Sequence, residues 1–366
     1  MEPELHPTVL AEVCGAFRLG TATSVTYLQN GRVNDSFLVR TSDGAYVLRR
    51  SRAERTTDAV AFEHALMAYL SGRGFPAPPL RTTIGGATFV TINGHIYRVT
   101  TFVPGERCRA DDVTHLRVCA QTLARYHRLV ADYGLPPRPG FVPILDELLA
   151  GLSSLPSQGE RMPSPQPTRP RPCGAAETRR FWPADPHTQG AARFGASGPL
   201  DWLDALHSNL VATCARLTEA EPAPAVVVHA SCRRESFVLL NGQIAAMLDY
   251  DSTHVDARAL DLAIAVLSFA LVRPDKTMLD LDRAAAFVAA YRLVAPIGRR
   301  ELSLISWYIR ARILKRALAR YRHYRAVPQP SRAAKLQRAI NLLRWLDDHE
   351  QAFGSATTRA VEGTRA

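Results

Sequence analysis

Asp249-Tyr250-Asp251-Ser252-Thr253-His254-Val255-Asp256-Ala257-Arg258-Ala259-Leu260-Asp261-Leu262-Ala263 is the stretch on which the fold turns. An apolar run, Ala245-Ala246-Met247-Leu248, leads into it, and Asn241-Gly242 precedes that run. This pattern predicts a hairpin of strands 237–240 and 243–248, with Asp249 at the strand end. Asp261 opens an apolar series at helical spacing, so a helix over 261–272 is predicted with Asp261 as its N-cap. Twenty residues before Asp249 stands His229, at the end of a strand predicted over 225–229.

Upstream, alternation at Val25 and Tyr27, at Phe37 and Val39, and at Tyr46 and Leu48 predicts a three-stranded antiparallel meander turning at Asn30-Gly31 and Asp43-Gly44. A helix over Thr57–Ser71 is expected to pack on that sheet, and strands at 88–92 and 95–102 flank Asn93-Gly94. Beyond Gly105 the pattern turns helical, at 113–130, 144–152, 200–219, 261–272, 280–293, 299–325 and 332–353. The organisation expected is α+β, with a small antiparallel lobe carrying one helix over 1–103 and a mostly helical lobe over 104–366. Residues 153–199, rich in Pro, Gly and Ser, are expected to form a disordered insertion, because so few apolar groups cannot offset the entropy of ordering.

The 366 residues suffice for two lobes, and no apolar run is long enough for a membrane span. The opening lacks the basic start and apolar stretch of a secretory signal, which favours the cytoplasm and unpaired cysteines. The six cysteines contain no C-x-x-C pair, so thiolate metal binding has no support. The net charge of +11 is carried by residues 302–346, which hold eleven Arg and Lys and no Asp or Glu. Trp307, Ile309, Ile313, Leu314 and Leu318 form an apolar stripe there, and Arg310, Arg312, Arg316 and Arg320 are expected to be its solvated face rather than a nucleic-acid surface.

Residues 249–263 resemble D-F-D-x-A-x-x-G-P-R-x-x-D-L-A of the aminoglycoside phosphotransferase family, which includes bacterial homoserine kinases, choline kinases and N-acetylhexosamine kinases. Asp256 and Ala257 replace the family's Gly-Pro. The resemblance implies a bilobal protein-kinase-like fold, ATP and Mg²⁺ as cofactors, and phosphoryl transfer to a small-molecule hydroxyl. It places Asp249 on the metal, Asp261 as the brace of the catalytic loop, and His229 as an internal hydrogen-bonding group of that loop.

The family's H-G-D-L-H-P-G-N corresponds to His229-Ala-Ser-Cys-Arg-Arg-Glu-Ser236. Ser231 thus holds the place of the catalytic Asp and Ser236 that of the metal-binding Asn. Glu235 is the one carboxylate in this loop and the one candidate for a displaced base. Arg233 and Arg234, in place of His-Pro, favour an anionic ligand. Tyr46-Val-Leu-Arg49 matches the strand whose basic residue meets nucleotide phosphates, with Glu63 as its expected partner. Gly31-Arg-Val-Asn34 resembles the phosphate-side turn, and Thr101-Phe-Val103 resembles the backbone that meets adenine. A serine cannot take the proton of an acceptor hydroxyl. The expectation is therefore an impaired, pseudokinase-like protein that binds ATP/Mg²⁺ or a small metabolite and acts as a regulator or partner of another protein, with an active kinase of atypical loop as the alternative. Neither nucleic acid nor membrane is expected as a partner.

Overall fold

The structure, a computed structural model, describes residues 4–28, 34–52, 54–109, 111–134, 138, 140–155, 199–220, 225–272 and 274–363. The Asn30-Gly31 turn and nearly all of the expected 153–199 insertion lie outside them. The chain opens with a helix that the sequence reading did not anticipate, α1 (Pro7–Ala16), whose first-turn proline presets φ. Strands β1 (Ala22–Tyr27), β2 (Asn34–Thr41) and β3 (Gly44–Ser51) follow, then α2 (Thr57–Ser71), β4 (Phe89–Ile92) and β5 (His95–Thr101). The sheet runs β1-β2-β3-β5-β4 and is antiparallel throughout. Asn93 and Gly94 turn β4 into β5 with φ of 51° and 75°, the paired left-handed residues of a tight hairpin. Val13, Phe17, Phe37, Val39, Leu48 and Val99 form the core between α1 and this sheet.

Helix α2 departs from expectation. Thr56 caps it through Oγ1, which accepts from the Ala59 N–H at 3.3 Å. It was expected to bury its apolar side on the sheet, yet Phe62, Leu66, Met67 and Leu70 join the core of the helical region with Leu116, Leu123 and Tyr126. The sheet receives polar contacts from α2 instead. His64 Nδ1 lies 2.7 Å from Thr88 Oγ1, and Glu63 lies 3.5 Å from Arg98 on β5.

Beyond β6 (Glu106–Arg107) come α3 (Val113–Val130), α4 (Ile144–Ser153), α5 (Pro199–Glu219) and β7 (Ala225–Val228). Strands β8 (Phe237–Leu240), β9 (Gln243–Met247) and β10 (His254–Ala257) precede helices α6 (Arg258–Ala270), α7 (Leu281–Arg292), α8 (Arg299–Ala326) and α9 (Pro330–Glu362). β6, β8 and β9 form one small sheet and β7 with β10 another, and these two frame the stretch around Asp249. A Cβ on Gly105 would stand 2.3 Å from the Leu239 carbonyl oxygen, so glycine is what lets β6 lie against β8. The altered turn at 256–257 is in fact strand. Buried Asp256 accepts the Ile144 N–H at 2.8 Å, capping α4 from another element where Pro143 offers no side chain to do so.

Buried α6 is the centre of the helical region. The arginines of α8 are not a solvated face. Arg310 is 2% exposed, bonds Asp347, lies 3.6 Å from Glu350 and stacks 4.9 Å over Trp307. Arg312, Arg316 and Arg320 are half-buried. The carboxylates that meet Arg310 come from α9, just beyond the acid-free stretch, so only tertiary packing brings them there. Cys14, Cys108, Cys119, Cys214 and Cys232 are buried free thiols. Among the described residues no helix is long and apolar enough to cross a membrane.

Candidate functional site

Asp249 leaves β9 in the left-handed conformation, with φ 69° and ψ 50°. That twist aims its carboxylate at the sheet, where Arg49 of β3 waits. Arg49 Nη2 donates to Asp249 Oδ1 at 2.9 Å, and Nη1 donates to Asp251 Oδ2 at 3.0 Å. The expected Arg49–Glu63 pair is not formed. Glu63 is 2% exposed and is taken by Arg55 at 2.8 Å, with Arg98 at 3.5 Å and Arg138 at 3.7 Å. The physical reason is supply: four guanidiniums converge on three carboxylates, and Arg55 and Arg138 reach Glu63 from nearer positions.

This network was only partly anticipated. Asp251, Arg55, Arg98 and Arg138 were assigned no role. Asp251 could have been found, since it is the third matched position of the motif. Arg138 is 2% exposed and donates to the carbonyls of Ala59, Asp251 and Thr253 at 2.8, 3.0 and 2.7 Å. Burial would raise the Asp251 carboxyl, but Arg98, Arg49 and Arg55 outweigh it and hold the group well below the usual carboxylate range. The same attraction from Asp251 and Asp249 overcomes burial and raises Arg49. Arg138 is pushed down to about 10 by burial and by repulsion from Arg55.

The loop from His229 to Ser236 hangs from Asp261. Its Oδ2 accepts the His229 N–H and its Oδ1 the Ala230 N–H, each at 2.7 Å, while His127 Nε2 lies 3.1 Å from Oδ2. Asp261 sits inside α6, which begins at Arg258, so the N-cap reading is replaced by a brace to another segment. Burial disfavours its charge, but the bonds from His127 and the loop keep the carboxyl below its ordinary value. His229 takes part through its main chain. Its ring packs edge-on against Tyr126 and Tyr250. Burial lowers its pKa.

Ser231 is 8% exposed and accepts from Arg233 Nη2 at 3.3 Å. Ser236 Oγ donates to the Ser231 carbonyl at 2.6 Å and lies 3.4 Å from Asp249 Oδ2. Arg233 Nη2 is 3.7 Å from that same Oδ2. Ser231, Ser236, Arg233, Asp249 and Arg49 are thus brought together. Glu235 is not among them: it is exposed and held by Arg234 Nε at 2.9 Å. Burial pushes its pKa up, but the bond from Arg234, a backbone hydrogen bond and the charges of Arg234 and Arg233 together outweigh it and lower it. Asn34 is buried at the start of β2, its amide without a hydrogen-bond partner among the described residues. The Thr101 N–H is taken by the Pro79 carbonyl at 2.9 Å and the Phe102 N–H by that of Ala45 at 2.9 Å, with half-buried Val103 next in line.

The donor set fits one divalent cation rather than two. Asp249 supplies a single 30% exposed carboxylate, enough for an ion that also takes phosphate oxygens, and Ser236 adds a neutral hydroxyl. Arg233 lies where a second cation would compete with it. Among the described residues no three His, Cys, Asp or Glu side chains cluster to hold a metal by themselves. An ion on Asp249 would neutralise charge on bound phosphate.

A strand arginine reaching two strand-end aspartates, above a loop braced by a helix aspartate, defines a phosphotransferase framework. Residues 24–297 match the Phosphotransferase enzyme family, and the chain belongs to it. It is similar to the homoserine kinase of Methylobacterium radiotolerans, 25% identical with 95% of each chain covered. The homoserine kinase of Xanthobacter autotrophicus is 23% identical, covering 89% of this chain and 88% of its own. Among solved structures, amicoumacin kinase hAmiN in complex with AMP-PNP, Ca²⁺ and Ami superposes with a TM-score of 0.67 at 14% identity, covering 97% of this chain and 94% of its own. The microcompartment-associated aminopropanol kinase gives 0.63 at 15% identity, covering 95% and 98%. The fold is that of these protein-kinase-like proteins.

Proposed function

We propose that this protein binds a nucleotide at the seam between sheet and helical region, through Arg49, Asn34 and a cation on Asp249, and transfers phosphate to a small-molecule hydroxyl poorly or not at all. One observation carries the reading. At the loop position where a general base belongs stands Ser231, its oxygen faced by the Arg233 guanidinium at 3.3 Å. A hydroxyl with a cation against it has no tendency to accept a further proton, and loss of a positioned base costs about 10²- to 10⁴-fold in rate. Glu235 is tied to Arg234 and does not replace it.

A second reading, an active kinase acting on homoserine or a similar amino alcohol, is favoured by the names of the full-length relatives. The deciding experiment is ATP turnover by the purified protein with Mg²⁺ and homoserine, followed by phosphohomoserine formation. A turnover of about 1 to 100 per second, ordinary for kinases, would support the second reading and end the first.

A further inference from the structure

Against Ala230 of the catalytic loop lies a pocket of about 150 Å³, between α4, α8 and the start of β10. One water takes roughly 10–15 Å³ of such space, so the pocket has room for on the order of ten non-hydrogen atoms. The residue that departs from the family's motif builds it. Asp256, which stands where the motif has glycine, accepts the Ile144 N–H at 2.8 Å and faces His254 Nε2 at 3.3 Å, and both Ile144 and His254 line the pocket. His254 Nδ1 donates to the Ser252 carbonyl at 2.7 Å, and the ring stacks on Phe141 with centroids 5.6 Å apart. A glycine at 256 would leave the first turn of α4 uncapped and the imidazole without its carboxylate.

The charges on the walls do not cancel. Glu147 of α4 and Lys315 of α8 pair at 2.5 Å, and His254 is matched by Asp256. Arg312 is left over. Its Nε is buried without a hydrogen-bond partner, and Glu147 and Asp261 reach it as charges without bonding it. Burial and then repulsion from Arg233 push its pKa down, with those two carboxylates pulling the other way.

We infer that this pocket holds the carboxylate end of a small hydroxy acid, with Arg312 as its anchor, and makes no use of an amino group. The described lining carries an excess of one positive charge, Arg312 and Lys315 against Glu147, which a single carboxylate neutralises. A planar guanidinium meets a carboxylate with two parallel bonds. An ammonium finds no free acceptor here. Glu147 is taken by Lys315, and Asp256 is spent on the Ile144 N–H, the Ala257 N–H and His254. Ala230 directly precedes Ser231, so the other end of an acid seated on Arg312 lies at the loop. That this acid is the phosphoryl acceptor rests on the function proposed above, whereas its binding does not.

Ligand-observed NMR titration of the full chain, without nucleotide, tests it. 4-Hydroxybutyrate should bind at least about tenfold more tightly than 1,4-butanediol, which lacks the charge, and than 3-aminopropanol, which reverses it. L-Homoserine, the same acid with an amino group, should bind no more tightly than 4-hydroxybutyrate. Affinity for 4-hydroxybutyrate should fall at least about tenfold in Arg312→Gln and by less in Arg312→Lys, which keeps the charge but loses the paired bonds. It should fall in Lys315→Gln and rise in Glu147→Gln; both residues are part-exposed and line this pocket, not the wider cleft between α6, α8 and α9 that Arg312 also borders. Arg312→Gln should not lower the thermal midpoint, since it removes a charge that no described residue bonds. The inference fails if 4-hydroxybutyrate does not bind, if the diol binds as well, or if affinity is unchanged in Arg312→Gln. It also fails if Lys315→Gln and Glu147→Gln both leave affinity unchanged, which would move the ligand to the wider cleft, or if homoserine binds about tenfold more tightly, which would reveal an ammonium site. Binding as expected with no stabilisation by Mg²⁺-ATP would overturn the proposed nucleotide site and leave this pocket standing.

Discussion

Arg49 Nη2 meets Asp249 Oδ1 at 2.9 Å across 200 positions of sequence, joining the sheet to the helical region at the seam proposed above for the nucleotide. The pair is part-exposed, with side chains 22% and 30% accessible, so it can open for a ligand. Mg²⁺-ATP should raise the thermal midpoint of the wild type, with no rise in Asp249→Ala and a smaller one in Arg49→Ala. A rise unchanged in both variants would move the nucleotide elsewhere.

Restoring the loop should restore chemistry. In Ser231→Asp/Ser236→Asn, ATP consumption should increase toward the roughly 10²- to 10⁴-fold that a positioned base supplies. Glu235→Gln should leave the residual rate of the wild type where it was. A collapse of that rate in Glu235→Gln would make Glu235 the base after all.

Asp261 has its pKa depressed in the folded state, so its stabilisation is fully present above the unfolded carboxylate value of about 4 and is lost as pH falls below it. Asp261→Asn, which replaces an acceptor oxygen by a donor in front of the His229 or Ala230 N–H, should cost about 1.5–3 kcal/mol at pH 7. The loss should shrink in denaturant titrations taken below pH 4. An equal loss at pH 7 and pH 3 would mean that charge plays no part.

His64 is 3% exposed, and its pKa is lowered to about 3 by burial, with the Arg98 charge next in weight. The unfolded chain takes up this proton near pH 6.5 and the folded chain does not. Stability should therefore fall between pH 6.5 and pH 3 by up to about 1.4 kcal/mol per pH unit from this residue. The slope of stability against pH should flatten in His64→Gln, and an unchanged slope would contradict the assignment.

Ala230 has a φ of 55°, a left-handed conformation that costs a residue with a Cβ about 1–2 kcal/mol. Ala230→Gly should stabilise the protein by about 1 kcal/mol, measured as a higher denaturation midpoint at constant slope. A lower midpoint would show that the methyl group's packing outweighs the relief.

Where local chemistry sets an element's ends, the sequence was readable to the residue. Thr56 and Asp112 cap α2 and α3 with their side chains, and both helices begin where expected. α6 has no side-chain cap, and its start was placed three residues late, at the aspartate that looked like one. Strand β10 is four residues long and exists through pairing with β7, which no local pattern announces. α9 runs past the expected end at Phe353 because Thr357 and Val361 continue its buried face. The motif positions of Asp249, Asp261 and His229 were legible as chemistry. Which carboxylate each arginine would choose was not, since four arginines compete for three acids across long sequence separations.

Helix α2 belongs mechanically to the base of the molecule rather than to its cover. A fragment cut after residue 103 would carry Phe62, Leu66, Met67 and Leu70 into water, at about 1.5–3 kcal/mol for each large side chain. The sheet is therefore fastened to that base by polar links, Arg49 of β3 to Asp249 among them, while α2 is held there by its apolar side.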